Sequence, residues 1–271
     1  LGVLAGDYLK EISDRNMNLM AVGLLYRYGY FQQAITLHGE QIQHLDAAKF
    51  TQLPYRPVRN AEGEWIRIHI NLAGKTVWAK VWELRVGRVS LYLLDTDIED
   101  NHWDDRTITH QLYGGDNENR IRQEILLGIG GVRAFKAMGL NPDLYHLNEG
   151  HAAFLGLERL RNYMIDKSMP FEQAVEIVRS TQLFTTHTPV PAGHDAFSES
   201  LMREYLFEYP ELLNLTWEDL LAIGRINPKN SHEMFSMSHL AIRTSQAVNG
   251  VSKLHGEVSQ KMFNELYPDY N

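Results

Sequence analysis

The chain has 271 residues, 44% hydrophobic and 22% charged, with a formal net charge of −8. That composition suits a globular protein with a sizeable core in one large or two small domains, and the negative charge argues against a nucleic-acid surface. Cysteine is absent, which excludes disulfides and thiolate metal sites and fits a cytoplasmic protein; no apolar run approaches the roughly 20 residues of a membrane span.

In chain order, Leu1, Leu4, Ala5, Tyr8, Leu9 and Ile12 share one helical face. The chain thus opens inside a helical pattern, and upstream sequence is expected. Leu19 to Tyr26 reads as a buried strand, followed by an aromatic, polar loop from Tyr28 to Gln33. Residues 54–95 change character. Ile66, Ile68 and Ile70 alternate with polar residues, Ala73-Gly74-Lys75 is a turn, Val77 to Val86 is a second strand, Gly87-Arg88 a second turn, and Val89 to Leu94 a third strand. The pattern predicts an antiparallel β meander inserted into a helix-and-strand chain. Asp95 to Arg106 is acidic and loop-like. Tyr113 to Asn119, YGGDNEN, is a polar loop before a helix from about Arg120 to Met138.

The stretch Tyr145 to Phe154, YHLNEGHAAF, organises the rest of the chain. An apolar approach ends at Asn148-Glu149, Gly150 permits a sharp turn, and Ala152 to Tyr163 carries a helical pattern. In an α/β sheet such a turn lies at the strand's carboxyl end, where ligands bind, beside a helix N-terminus that favours electron-rich groups. Asn148, Glu149 and His151 are therefore candidate site residues; the plainer reading makes Asn148 a cap and Glu149 a complement to the helix dipole. After a helix beginning at Pro170, Leu183 to Thr186 is a strand that ends in Thr185-Thr186-His187-Thr188-Pro189. Pro189 and Pro191 stiffen that loop. Its histidine can offer both ring and carbonyl to a ligand, or serve as an ordinary turn residue. Leu201–Phe207, Trp217–Ile223, His239–Val248 and Ser252–Phe263 are further helix candidates.

Gly128-Ile129-Gly130-Gly131 lies inside a helical pattern with no strand before it and Arg133 where a third glycine would stand, so close helix packing explains it better than a nucleotide fingerprint. His146, His151, His187 and His194 have no metal-ligand spacing, and no G-x-S-x-G elbow is present.

Five ordered stretches carry a resemblance. These are the opening LGVLAGDYLKEISDRNMNLMAVGLLYRYGYF, LYGGDNENRIRQE from Leu112, LNEGHAAF from Leu147, FTTHTPVPAGHDAF from Phe184, and SHLAIRTSQAVNGVSKLHGEVS from Ser238. Together the chain resembles the α-glucan (glycogen, starch, maltodextrin) phosphorylases. NEGH in place of the animal-type NDTH, and Pro-Val-Pro after His187, look like a divergent bacterial branch. The resemblance implies an α/β fold: the Rossmann-like N-terminal half of a two-domain GT-B glycosyltransferase, with residues 1–271 as a partial glucan-binding domain, 54–95 as its inserted meander, and the C-terminal cofactor domain outside this chain.

It implies phosphorolysis of terminal α-1,4-glucosyl units to glucose 1-phosphate, with glucan and orthophosphate as partners, a homodimer as the assembly, and neither nucleic acid, membrane nor metal involved. Pyridoxal 5′-phosphate is the implied cofactor of the complete enzyme; none of Lys10, Lys136, Lys229 or Lys253 stands in a sequence like the family's cofactor-lysine motif. By motif, His187 is the catalytic-site residue at the glucosyl 6-hydroxyl. Asn117 contacts the 2-hydroxyl, and Tyr113, Glu149 and His151 line the acceptor side. The readings kept beside this one are a non-catalytic carbohydrate-binding domain and a metal-dependent hydrolase built on the histidines.

Overall fold

The computed structural model describes residues 2–29, 32–48, 52–112 and 114–268. It is a mixed α/β protein with parallel and antiparallel sheets. The chain groups into two compact units, one of Leu1–Ile70, Thr76–Gln123 and Arg133–Gly139, the other of Asn71–Lys75, Glu124–Val132 and Leu140–Asn271.

In the first unit, α1 (Gly2–Asp14) forms where the i, i+3, i+4 spacing places it. Leu9 and Ile12 are buried with Val89, and Leu19, Ala21, Val86 and Leu91 pack against them; the N-terminal part of the same face, Leu4 and Tyr8, is exposed. The strands are β1 (Met20–Leu24), β2 (Gln32–Ile35), β3 (Gln41–His44), β4 (Arg56–Pro57), β5 (Arg67–Leu72), β6 (Lys75–Val86) and β7 (Val89–Asp95).

β5, β6 and β7 are the expected meander: β6 pairs with both β5 and β7, and β6–β7 is antiparallel. Ala73 and Gly74, both at positive φ, close the first turn, the geometry of a tight two-residue hairpin. The meander shares its sheet with the preceding helix-and-strand segment, because β7 runs parallel to β1 from Met20↔Ser90 to Leu24↔Leu94. β1 has β7 as its partner in the sheet order and stands at the edge; it is half-buried where the sequence reads as fully buried.

β2 and β3 form a separate antiparallel hairpin, its first strand overlapping the loop expected from Tyr28 to Gln33. The acidic stretch folds around Asp97, which takes ion pairs from Arg27 and Arg106 and lies 3.3 Å from His110 Nε2; α2 (Trp103–Arg106) ends it. α3 (Asn117–Ile125) starts three residues before the expected Arg120, because Asp116 Oδ1 accepts from Asn119 N at 3.0 Å and caps it. A π-helical turn, Leu126–Gly130, leads into α4 (Gly131–Ala137).

The second unit is built on three parallel strands: β8 (Tyr145–Asn148), β9 (Gln182–Thr186) and, at the far edge, a strand at Ala247–Gly250. Parallel neighbours need a crossover, supplied between β8 and β9 by α5 (Leu155–Asp166) and α6 (Phe171–Ser180). Leu147 on β8 and Phe184 on β9 are fully buried. Between β9 and the edge strand come the two-residue pair β10 (Ala196–Phe197) and β11 (Phe235–Ser236), with α7 (Glu199–Leu206), α8 (Tyr209–Leu212), α9 (Trp217–Gly224) and α10 (Met237–Arg243). A reciprocal Thr216–Asp219 capping box starts α9.

The edge strand is β12 (Ala247–Gly250), followed by α11 (Lys253–Met262). β12 corrects the helix expected from His239 to Val248. Thr244 Oγ1 folds back on Leu240 O at 2.7 Å, Gln182 Nε2 donates to Thr244 Oγ1 at 2.8 Å, and Gln246 N donates to Arg179 O at 3.0 Å. These bonds end the helix and turn the chain into the sheet.

Candidate functional site

The carboxyl ends of β8 and β9 lie side by side. Asn148 is paired with Thr185, and Glu149 N donates to Thr185 O at 2.9 Å. Parallel pairing in register therefore brings the Asn148-Glu149-Gly150 turn against the Thr186-His187-Thr188 turn, although 38 residues separate Glu149 from His187. Beyond the first turn, Gly150–Ala152 forms a single 3₁₀ turn before α5 begins.

Glu149 is the hinge of this arrangement. It is 4% exposed and holds φ at 75°, a region that costs a non-glycine residue of order 1–3 kcal/mol. Its Oε2 accepts from His187 N at 2.9 Å and from Thr188 Oγ1 at 2.9 Å, and its Oε1 accepts from Gly150 N at 3.3 Å. All three partners are donors, which suits a group that only accepts.

The ring of His187 hydrogen-bonds through Nε2 to Asn148 Oδ1. The amide oxygen can only accept, so Nε2 carries the proton, and Nδ1 of the neutral ring is left to accept from a ligand hydroxyl. Burial holds this imidazole below the usual histidine value; Glu149's charge opposes the shift and His255 adds to it. His151 interacts electrostatically with the same ring.

His151 is partly buried, and its Nδ1 lies 2.8 Å from Asp195 Oδ2. Donation of Nδ1–H to the carboxylate fixes the tautomer and turns Nε2 into an acceptor. Glu124 Oε1 lies 3.9 Å from the same nitrogen. Ligand atoms of Glu124, His151 and Asp195 come within 4.8 Å of one another, the one such grouping found among the described residues. A metal at Nδ1 would have to displace the proton that the 2.8 Å bond already requires.

His194 completes the loop. Its Nε2–H donates to Thr188 O at 3.2 Å and its Nδ1 accepts from Ser238 Oγ at 2.7 Å, and burial lowers its pKa. Behind these groups, His146 Nε2 lies 2.7 Å from Thr185 Oγ1, which donates to Asn249 Oδ1 at 2.8 Å. All three parallel strands thus end in one polar network.

The structure brings together Asn148, Glu149, His151 and His187, all in the second unit. Asn117 is exposed at the first residue of α3, in the first unit; Tyr113 lies outside the described residues. Asp195 and Thr188 were not singled out as contributors from sequence, and His194 was considered only among four histidines for a metal, although the motif FTTHTPVPAGHDAF contains all three. Asp195 and Thr188 take their side-chain partners, His151 and Glu149, from the other turn, so spacing within the motif does not reveal them.

The first unit also has an open groove of about 550 Å³ beside Trp65 and Trp78. Lys80 Nζ stands 4.3 Å from the centre of the Trp65 ring, and the Arg67 guanidinium stands 5.7 Å from that of Trp78 while pairing with Asp100 at 3.1 Å. The protein's own cations already take up these aromatic faces. Among candidate cofactor anchors, Lys10, Lys136, Lys229 and Lys253 are all exposed, whereas a Schiff-base lysine is activated by desolvation or a neighbouring cation. They do not fit pyridoxal 5′-phosphate.

A family model described as carbohydrate phosphorylase matches residues 140–270, the segment that contains both strand-end turns. Over that segment the chain is similar to the carbohydrate phosphorylases. It is 43% identical to glycogen phosphorylase of Mycobacterium tuberculosis over 283 aligned positions, covering 100% of this chain and 32% of that protein. It is also 43% identical to maltodextrin phosphorylase of Thermococcus litoralis, covering 98% of this chain and 31% of that protein. Identity to the human liver form of glycogen phosphorylase is 24%, over 99% of this chain and 40% of that protein. The chain thus spans about a third of the length of the mycobacterial and archaeal phosphorylases it matches.

Proposed function

We propose that this chain is the glucan-binding, N-terminal part of an α-1,4-glucan phosphorylase, a Rossmann-like half of a GT-B fold. One observation carries the reading: the Asn148–His151 and His187 turns meet at the carboxyl ends of adjacent parallel strands, where α/β sheets bind ligands.

In the reaction we assign to the complete enzyme, a phosphate oxygen bonds to the anomeric carbon of a terminal glucosyl unit. The bond from that carbon to the next sugar's 4-oxygen breaks, and that oxygen takes a proton. His187 accepts from the glucosyl 6-hydroxyl through Nδ1, and its carbonyl faces the positive charge that develops on the sugar. Asn117 binds the 2-hydroxyl, while Tyr113 stacks on a sugar of the acceptor. His151 meets the acceptor through Nε2. Glu149 serves the same side with its carboxylate turned inward. Positioning and electrostatic stabilisation are then the protein's share of catalysis. By the resemblance, bound pyridoxal 5′-phosphate would supply proton-transfer chemistry through its phosphate, and none of Lys10, Lys136, Lys229 or Lys253 fits as its anchor. We further expect a cytoplasmic homodimer, which sedimentation of the complete enzyme would check.

The test is release of glucose 1-phosphate from maltoheptaose and orthophosphate by the complete enzyme. His187→Ala should lower turnover by roughly 100-fold or more, as loss of a transition-state contact does, and weaken glucan binding far less. Unchanged turnover refutes the assignment. Isothermal titration of the 271-residue chain with maltoheptaose measures how much sugar affinity this part holds alone.

A further inference from the structure

We propose that Glu149 is a positioning residue: its buried carboxylate is the strut that sets the height and orientation of the His187 loop over the strand ends. The proposal rests on the phosphorylase reading for what His187 does, but not for how His187 is held.

Three observations on this chain lead there. First, the carboxylate is spent. Oε2 takes both the backbone N–H of His187 and the hydroxyl of Thr188, and Oε1 takes the backbone N–H of Gly150. With the residue 4% exposed, this carboxylate is turned to the loop rather than to solvent. Second, the backbone accepts an unfavourable conformation to put it there. A φ of 75° is one a glycine would adopt without penalty, so the side chain must contribute enough to offset the strain. Third, the other supports of the loop act elsewhere. Asn148 holds the His187 ring, and His194 holds the Thr188 carbonyl. Glu149 bridges from the β8 turn to the backbone of the catalytic histidine. In the assigned reaction the His187 carbonyl must face a developing charge, and a carbonyl cannot be aimed unless its backbone is fixed. The His187 amide on one side of that carbonyl and the Thr188 hydroxyl on the other both bind the same buried carboxylate oxygen, and the pair restrains it.

Two variants separate this role from a glucan contact and from plain stability. Glu149→Gln keeps the shape but presents an amide N–H₂ to one set of donors. Glu149→Gly suits the φ of 75° and so relieves strain while removing the strut. In the 271-residue chain labelled with ¹⁵N-histidine, the His187 amide is assigned by its loss in His187→Gln. Its solvent exchange should speed up about 10-fold or more in both Glu149 variants, as expected for loss of a hydrogen bond to a charged group. In the complete enzyme, kcat should fall by roughly 10- to 100-fold, the scale of a small misplacement, with the KM for glucan within about twofold of its starting value.

An unchanged His187 amide in both variants overturns the proposal, whatever the enzyme does. A raised glucan KM at unchanged kcat also overturns it and returns Glu149 to direct contact with sugar. If the complete enzyme shows no phosphorolysis, the functional reading fails, and the exchange measurement still decides whether Glu149 holds the loop.

Discussion

His151 shows how one residue takes its chemistry from a distant neighbour. Its Nδ1–H is committed to Asp195 at 2.8 Å, so in the neutral ring Nε2 is an acceptor, and under the proposed function it is the atom that would meet the glucan. On the acceptor side of the proposed site this is a binding contact. His151→Ala in the complete enzyme should raise the glucan KM by roughly 5- to 15-fold, the loss of about 1 to 1.5 kcal/mol of hydrogen bonding, and leave kcat within a few-fold. Asp195→Asn should do the same more weakly, because its amide allows the ring to choose the other tautomer. Steady-state kinetics in maltodextrin checks both, and an unmoved KM in His151→Ala removes that residue from the acceptor side. The sequence pointed to His151 and His187 through the turns they occupy and the motifs they match. It did not reveal that Glu149 faces inward. Nothing local distinguishes a carboxylate that meets substrate from one that takes the amide of a residue 38 positions away; only the register of β8 against β9 does.

At the scale of elements, glycine reports which helices are crowded. A Cβ on Gly128 would stand 2.7 Å from Leu155 N, at the start of α5, and 3.0 Å from Ala152 O, in the 3₁₀ turn before it, both of them backbone atoms. Gly6, within α1, has nothing within 4 Å of that position. One substitution therefore has opposite outcomes. Gly128→Ala should destabilise by roughly 1–3 kcal/mol through overpacking, and Gly6→Ala should stabilise by roughly 0.5–1 kcal/mol through helix propensity. Shifts of opposite sign in the denaturation midpoint would confirm the packing; a stabilising Gly128→Ala would show that the π-helical turn does not press on α5.

That the Gly128 run is a packing device was legible, because helical periodicity runs through it and no strand precedes it. The meander was legible too, since alternation at Ile66, Ile68 and Ile70 survives any tertiary context. β12 was not. Ala247-Val248 continues the apolar pattern of α10, and the bonds from Gln182 and to Arg179 that end the helix come from residues 60 or more positions earlier.

Over the whole molecule, half-buried histidines tie folding to pH. His187, His194 and His239 all have their pKa lowered, chiefly by burial. Below the unfolded histidine value of about 6.5, the unfolded chain binds protons that the folded chain refuses at these sites. Stability then rises with pH through that window. The contribution is fully present above about pH 6.5 and is lost as pH falls toward the lower, folded-state values. The carboxylates held low by ion pairs, Glu83, Asp97 and Glu199, lose their share only below about pH 4.5, so the two effects occupy separate ranges.

Urea denaturation of the chain at about pH 7.5 and about pH 5.5, either side of the unfolded histidine value, should therefore give a lower midpoint at the acid value. His194→Gln offers a sharper check, because its ring is held between Thr188 O and Ser238 Oγ, and a second proton at Nδ1 requires the Ser238 hydroxyl to turn from donor to acceptor. The variant should start less stable and lose less on acidification. A midpoint that stays level or rises on acidification would mean that these imidazoles protonate in place, and that the polar network at the strand ends is looser than its distances indicate.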